Sequence, residues 1–558
     1  MKKIAIKITA IISAVVFAAG CISETFPKGS TLTSEQVDNS EYSLSYLVNG
    51  IPSAMMAAGT AGYASQYGYH ADFGIAAIHF MTESMLEDLT VSGELGYYWF
   101  GAFLQNLSMG ADYIYGAYFW DCYYAWIKLT NEIISRASAM NLEDDAEVRD
   151  YLGQAYAYRA MFYLDLARIY EPKKNGYTEI SSDIEGLTVP IVDEFTTEEI
   201  AKNNPRATRE DIYGFILADL ENAEKFLDSK ATSYTRPTLS AVYGLYARAY
   251  LEMGYTDDAV NKDYNVLAAE YARKAITTSG KTPLTQAQWE DPANGFNSGN
   301  SNNAWIWGLT LSVENSSNLI TGGAHLVSEA KWGYGVLSQP SANKAFYEQI
   351  DNADFRKHSW LDPKFFEFYN YKLAGNANDQ QEFLNGSYYQ YAASPYQSLK
   401  FRPASGECND YTIGNLVDCM LMRVEEMHFI EIEATLRTSG PDAARELLHN
   451  FIRKYRYSSY DCTLVTGSES SFIREMMLQK RIEFWGEGIL FYDYKRLNQG
   501  ITRGYAGTNF PSVARFNTTG RSPQWNVCIT RGETQSNNAV PQTLNNPDPT
   551  GKMELWTE

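Results

Sequence analysis

Apolar residues recur at helical spacing in four long stretches, and this periodicity constrains the fold more than any other feature. The stretches are residues 146–170, 208–227, 238–254 and 265–280. In the first, Val148, Leu152 and Phe162 fall on one face, and Pro172 predicts where the helix ends. Thr208 is a suitable N-cap for the second. The sequence therefore predicts a mostly α-helical fold.

Small residues line the third and fourth stretches. Gly244, Ala249, Ala268 and Ala275 would allow neighbouring helices to approach closely, as tetratricopeptide-type stacking requires. No strict repeat period accompanies them, so an ordinary helical domain stays open as an alternative. We expect tetratricopeptide-like helix pairs that support a face rich in loops.

The rest of the chain alternates between helical and irregular composition. Helical periodicity returns in residues 417–440, 441–455 and 471–488. Gly, Asn, Ser, Tyr and Trp interleave through residues 281–415, which predicts long loops with short strands. We expect one domain, with helical parts at about 40–280 and 416–500, a loop-rich insert at about 281–415 and an irregular tail at about 501–558.

The N-terminus resembles the signal of a bacterial lipoprotein. Three lysines precede an apolar stretch at residues 8–20, which is shorter than the ~20 residues that span a bilayer. The stretch ends in Ala18-Ala19-Gly20-Cys21, which is similar to a lipobox. We expect cleavage after residue 20 and a lipid anchor on Cys21. A plain secretory signal is the alternative.

Charge and cysteine content exclude several function classes. The net charge of −21 argues against nucleic acid and against electrostatic attraction to an anionic membrane. Five cysteines follow Cys21 without any C-x-x-C spacing, so neither a zinc site nor a disulfide framework is indicated, although one or two bridges stay open.

An aromatic-rich region near the N-terminus is the best candidate for ligand binding. Residues 29–127 contain no Lys or Arg, and several of their rings stand beside glycines, which favours exposure on loops. Flat amphipathic rings suit the C–H faces of sugars, and carboxylates suit their hydroxyls. The absence of cations favours a neutral ligand. The candidate ligand-binding residues are Tyr69, Asp72, Tyr97, Tyr98 and Trp99.

Further aromatic and acidic residues lie later in the chain. Trp332 and Tyr334 stand beside or between glycines and join the candidate ligand-binding set. Trp305 and Trp307 alternate as on a strand, where core packing is favoured. Glu425 precedes His428 by three positions, but no second E-x-x-H follows, so we predict no metal site and no cofactor.

Several segments together resemble the SusD/RagB family of surface lipoproteins. Besides the lipobox, they are residues 154–172, 422–434, 443–456 and 477–500. The last resembles the family's C-terminal signature through Arg481, Glu483, Glu487, Gly488, Asp493 and Arg496, although Leu490 stands where the family often has Arg. We interpret the charged members of this set as a structural ion network.

The resemblance implies a fold, a location and a partner. The implied fold is SusD-like, with tetratricopeptide-like helix pairs beneath a loop-rich face. The implied place is the outside of a Gram-negative outer membrane, above a SusC-type TonB-dependent transporter that receives a nutrient, most often a glycan. The family signature contains no known catalytic group, which implies binding and not an enzyme.

The leading hypothesis is a surface lipoprotein that binds a neutral oligosaccharide and delivers it to the transporter. A surface glycoside hydrolase is one alternative, although sequence spacing selects no pair of carboxylates. A helical-repeat adaptor and a peptide-binding nutrient protein are the others.

Overall fold

The structure is a computed structural model of the chain. It describes residues 43–59, 70–91, 100–140, 145–257, 259–296, 298–313, 316, 318–364, 373–384, 386, 393–462 and 468–558. The chain divides into an N-terminal unit, Met1–Tyr46, and a compact unit, Leu47–Glu558. Among the described helices, none combines the length and the apolar character needed to cross a bilayer.

Helices dominate the first half of the described chain. They are α1 (Ser43–Met56), α2 (Ile75–Ser84), α3 (Gly101–Gln105), α4 (Ile114–Ser138), α5 (Ala146–Tyr170), α6 (Glu198–Ala201), α7 (Arg209–Phe226), α8 (Leu239–Met253), α9 (Lys262–Ser279) and α10 (Gln286–Trp289), with strand β1 at Leu89–Val91. The four helices predicted from apolar periodicity correspond to α5, α7, α8 and α9, and the prediction of a mostly helical fold is confirmed.

Shorter elements follow, and then the long helices return. They are β2 (Trp305–Leu309), α11 (Gly322–Leu326), α12 (Tyr334–Ser338), β3 (Pro340–Ala342), α13 (Lys344–Gln349), α14 (Ala377–Leu384), α15 (Tyr411–Gly414), β4 (Cys419–Arg423), α16 (Val424–Ser439), α17 (Pro441–Tyr455), α18 (Glu469–Phe484), α19 (Leu490–Arg496) and α20 (Arg531–Ser536). Single 3₁₀ turns occur at Phe355–Ser359, Ala404–Gly406, Ser512–Ala514, Pro523–Trp525 and Gln542–Leu544.

Local capping sets the ends of the long helices. The Thr208 side chain accepts a hydrogen bond from the Asp211 N–H, as predicted, and Asp145 caps α5 in the same way. Helix α5 ends at Tyr170, just before Pro172. Gly280, with φ of 61°, ends α9 in the left-handed conformation that glycine adopts most readily.

Neighbouring helices pack against one another through small residues. The packed pairs are α4 with α5, α5 with α7, α8 with α9, α9 with α16, and α16 with α17. Ala268 and Ala275 of α9 are fully buried, as close packing requires. Gly244 serves a different contact, because a Cβ at this position would lie 2.2 Å from Sδ of Met422 on β4. The helix pair is thereby fixed against a strand.

Two antiparallel strand pairs connect distant parts of the chain. In β1 and β3, Leu89 pairs with Ala342. In β2 and β4, Leu309 pairs with Cys419, and Trp305 and Trp307 are buried as predicted. The sequence wrongly predicts helix for residues 419–423, because a short apolar run has no period that separates strand from helix.

A buried ion network ties the C-terminal helices to the insert. Glu483 accepts hydrogen bonds from Arg356, Arg423 and Arg456. Glu487 pairs with Arg423 and Lys400. Arg481 pairs with Asp88, and Arg496 pairs with Glu433 and Asp493. These contacts agree with the structural role that we assigned to the charged signature residues.

Candidate functional site

A cluster of aromatic rings forms around His325, which lies on the short helix α11. The Thr321 side chain caps this helix by accepting the Ala324 N–H, and the Thr321 carbonyl lies 2.9 Å from Nδ1 of His325. The imidazole stacks on Phe73 and on Tyr334, with ring centroids 4.5 and 4.8 Å apart. The histidine ring is therefore held by both stacking and a hydrogen bond.

Three separate segments of the chain meet at this ring. Phe100 lies edge-on to His325 at 5.5 Å, and Phe80 packs on Phe100 at 4.7 Å. His70 lies 5.1 Å from Tyr334 and is hydrogen-bonded to its hydroxyl. We name these rings the His325 cluster; its members are His70, Phe73, Phe80, Phe100, His325 and Tyr334. Pairing of β1 with β3 explains the convergence, because the two strands follow α2 and α12.

The His325 cluster carries no formal charge at neutral pH. Burial lowers the pKa of His325 to about 3 and also lowers the pKa of His70. The neutral His325 ring donates its Nδ1 proton to the Thr321 carbonyl, so Nε2 is an acceptor. In the described part of the chain this buried Nε2 has no hydrogen-bond partner. The rings of the cluster other than those of His70 and Tyr334 are buried. A ligand can therefore reach only these two half-buried, uncharged side chains.

Two of the predicted ligand-binding residues are buried. Asp72 is 1% exposed and accepts a hydrogen bond from the Tyr118 hydroxyl at 3.1 Å. Trp332 is 2% exposed and packs on Val327 and Val417. Glycine neighbours suggested exposure for Trp332, but Gly414 of α15 packs directly on its indole ring. The burial of both side chains corrects the expectation that they lie at the surface.

The other predicted residues divide into one that joins the His325 cluster and several that the structure does not describe. Tyr334 is half-buried and lies at the edge of the cluster. Tyr69, Tyr97, Tyr98, Trp99 and Cys21 lie outside the described residues. In the sequence, Tyr69 directly precedes His70 and Trp99 directly precedes Phe100, so both adjoin members of the cluster.

Sequence reasoning missed the two histidines and Phe100. His325 stands in GGAHL, which matches no binding motif, and its partners come from positions far away in the chain. The one usable signal was indirect: His70 and Phe100 flank the aromatic stretches that we had selected.

The residues considered for metal binding have structural roles. Glu425 accepts a hydrogen bond from Arg456, and His428 packs against Phe451, with burial lowering the pKa of His428 to about 4. The described residues contain no group of three or more His, Cys, Asp or Glu side chains that could hold a metal ion. The cysteines at positions 122, 408, 419, 462 and 528 are all buried free thiols.

Known proteins are similar to this chain in part of its sequence and in most of its fold. Residues 66–251 match the SusD-like_3 family, described as "Starch-binding associating with outer membrane". SusD-like protein P38 of Formosa agariphila is 23% identical over 420 residues, which cover 68% of this chain and 72% of the relative. SusD-like protein P2 of the same organism is 28% identical over 151 residues, 27% of each chain.

Solved structures share the fold at low sequence identity. A SusD-like carbohydrate binding protein from Bacteroides vulgatus superposes with a TM-score of 0.67 at 21% identity, over 89% of this chain and 96% of that chain. A laminarin binding SusD-like protein gives 0.60 at 16% identity, over 91% and 99%. The chain therefore has the SusD-like fold, and its residues 66–251 are similar to the SusD-like_3 family.

Proposed function

We propose that this chain is a surface lipoprotein that binds a neutral glycan at the face above the His325 cluster. The observation that carries the proposal is the convergence of His70, Phe100 and Tyr334, because each belongs to or adjoins an aromatic stretch selected as ligand-binding from the sequence. The half-buried Tyr334 and His70 contact the sugar with their rings and neutral polar groups, and the buried rings beneath hold both side chains in place. Glycan binding by relatives supports this assignment.

The proposal includes an anchor, a place and a partner. The lipobox-like Cys21 carries a lipid that holds the chain at the outer membrane, facing outwards. A SusC-type TonB-dependent transporter beneath receives the oligosaccharide. The protein binds and delivers its ligand and breaks no bond itself.

Affinity electrophoresis in gels that contain laminarin, starch, xylan or galactomannan tests the site. Wild-type protein is expected to be retarded by at least one polysaccharide. Trp99→Ala and Tyr334→Ala should each reduce that retardation, since one stacking ring adds ~1 kcal/mol. Trp99→Ala should leave the melting temperature nearly unchanged, whereas Tyr334→Ala should also lower it, because Tyr334 packs on His325 and His70. Phe195→Ala is the matched control, because Phe195 is an exposed ring on another segment.

Three results would contradict parts of the proposal. Unchanged retardation of both ring variants would remove the site assignment. Release of reducing ends from the retained polysaccharide would favour a glycoside hydrolase. Failure of the full-length lipoprotein to co-purify with an outer-membrane transporter would remove the proposed partner.

A further inference from the structure

An open cleft runs beside helix α18, and it shares no lining residue with the His325 cluster. Its volume is about 500 Å³, whereas two other pockets of the described structure measure about 50 Å³ each. Small-molecule sites commonly occupy ~300–1,000 Å³. We name it the α18 cleft; its polar lining includes Gln349, Ser471, Arg474, Glu475, Arg481 and Gln499.

The floor of the α18 cleft is rigid because its polar groups already have partners. Glu87 accepts the Tyr494 hydroxyl at 2.8 Å and the Thr502 N–H at 2.6 Å. Arg481 donates from Nε to Asp88 at 2.7 Å. Buried polar networks that are fully satisfied hold one geometry. A ligand would therefore meet a preorganised surface.

The rim of the cleft, in contrast, offers unused hydrogen-bonding groups. Arg474 is exposed, donates only to Ser471 Oγ at 3.2 Å, and has no ion-pair partner in the described structure. Glu475 uses Oε1 for both of its bonds, to Tyr460 and Gln479. Its Oε2 remains an available acceptor.

The two glutamines of the rim add further acceptors. Gln349 and Gln499 use their Nε2 groups for backbone carbonyls, of Ala345 and Leu497. Their Oε1 atoms are unused in the described structure. The rim thus offers both donors and acceptors, which matches hydroxyl groups, because these both donate and accept.

The charges of the cleft favour a neutral ligand. Arg481 is already paired with Glu87 and Asp88, and Arg474 is matched by Glu475, so the cleft has no surplus of positive charge for an anion. Half-buried Leu478 adds an apolar surface against which the C–H face of a sugar can pack.

We propose that the α18 cleft is a second saccharide-binding site, which takes a short neutral oligosaccharide through its hydroxyls. The inference rests on the proposed glycan-binding function and adds a site of different chemistry. The His325 cluster offers rings for stacking, whereas the α18 cleft offers planar amide, guanidinium and carboxylate groups for paired hydrogen bonds. Two separated sites on one chain would raise the avidity for a long polysaccharide.

The first test compares the retention of variants in the same polysaccharide gels. The second measures, by titration calorimetry, the binding of oligosaccharides prepared from the polysaccharide that retains the wild type. The double variant Gln349→Ala with Arg474→Ala should weaken retention about three- to tenfold, as expected for lost hydrogen bonds. Calorimetry should show that it binds half as many oligosaccharides per chain as the wild type. Arg453→Ala, an exposed arginine on α17 outside the cleft, is the control and should change neither value.

Each outcome has a definite reading. If the double variant matches the wild type in retention and stoichiometry while Tyr334→Ala does not, the α18 cleft proposal is overturned and the glycan-binding function stands. If no polysaccharide retains the wild type, both proposals fail together. A melting temperature equal to that of wild type shows that any loss in the double variant comes from the site and not from unfolding.

Discussion

Arg423 and Glu483 meet inside the protein, with Nη1 of the arginine 2.7 Å from Oε1 of the glutamate and both side chains almost completely buried. Arg356 and Arg456 reach the same carboxylate at 2.8 and 2.6 Å. Although burial opposes ionisation, the guanidinium groups of Arg456 and Arg423 hold the pKa of Glu483 well below its usual value. One carboxylate thus connects three segments of the fold.

Replacement of Arg423 should destabilise the protein severely. Arg423→Met leaves Glu483 and Glu487 with one guanidinium fewer in the interior, and removal of one partner of a buried ion pair costs ~3–5 kcal/mol. Urea unfolding measures the change. Arg273→Ala, which breaks a half-exposed pair with Glu431, is the control and should cost less than ~1 kcal/mol. Equal effects of the two variants would contradict a structural role for the buried network.

Glu83 should make the protein less stable as the pH rises. Burial, aided by the charge of Asp88 and opposed by the backbone N–H of Gly486, raises the pKa of Glu83 to about 8. In the unfolded chain the Glu83 carboxyl ionises near pH 4.5. Below that pH its neutral form therefore makes its full contribution to the free energy of unfolding. Its contribution is lost progressively as the pH rises towards 8.

Glu83→Gln removes this titration while it keeps the shape of the side chain. The variant should gain ~4 kcal/mol over the wild type near pH 8, and little near pH 4.5. Chemical denaturation at both pH values measures the difference. A gain that does not depend on pH would show that Glu83 is not the titrating group.

His325 should make the protein less stable as the pH falls, which is the opposite of the effect of Glu83. Its pKa is lowered by burial to about 3 in the folded protein, whereas the unfolded chain binds this proton near pH 6.5. The free energy of unfolding should therefore fall as the pH decreases through this window, by ~1.4 kcal/mol per pH unit for this group. His325→Phe keeps a ring in the stack and should reduce by one the number of protons taken up on unfolding, which makes the pH dependence less steep. An unchanged slope would contradict burial of a neutral imidazole.

Two glycines on neighbouring helices should respond in opposite ways to alanine. A Cβ at Gly244 would lie 2.2 Å from Sδ of Met422, which is itself buried, so overpacking should cost ~1–3 kcal/mol. At exposed Gly214 on α7 nothing lies within 4 Å, and Gly214→Ala should stabilise the helix by ~0.5–1 kcal/mol. Thermal unfolding of the two variants tests the contrast, which would be absent if α8 could move away from β4.

The scaffold was largely predictable from the sequence because long helices carry their own local signals. Thr208 and Pro172 mark helix ends by capping and by the missing N–H group, and both predictions are confirmed. Strand β4 was missed since its pairing with β2 depends on residues more than a hundred positions away. Local periodicity contains no information about such a partner.

The candidate site was predictable only in part, for the same physical reason. Glycine neighbours suggested an exposed Trp332, but its burial depends on Gly414, a residue far along the chain. Tyr334 was selected from the sequence and belongs to the His325 cluster, whereas His325 was not selected. The predictions for Tyr69, Tyr97, Tyr98 and Trp99 stay predictions.

The buried thiols have a practical consequence for labelling experiments. Burial raises the pKa of each of the five described cysteines, so little reactive thiolate is present at neutral pH. A Phe195→Cys substitution, at a position whose native side chain is 76% exposed, would offer maleimide dyes one preferred attachment point within the described part of the chain. A fluorophore placed there would report on that segment of the surface without labelling the five buried thiols.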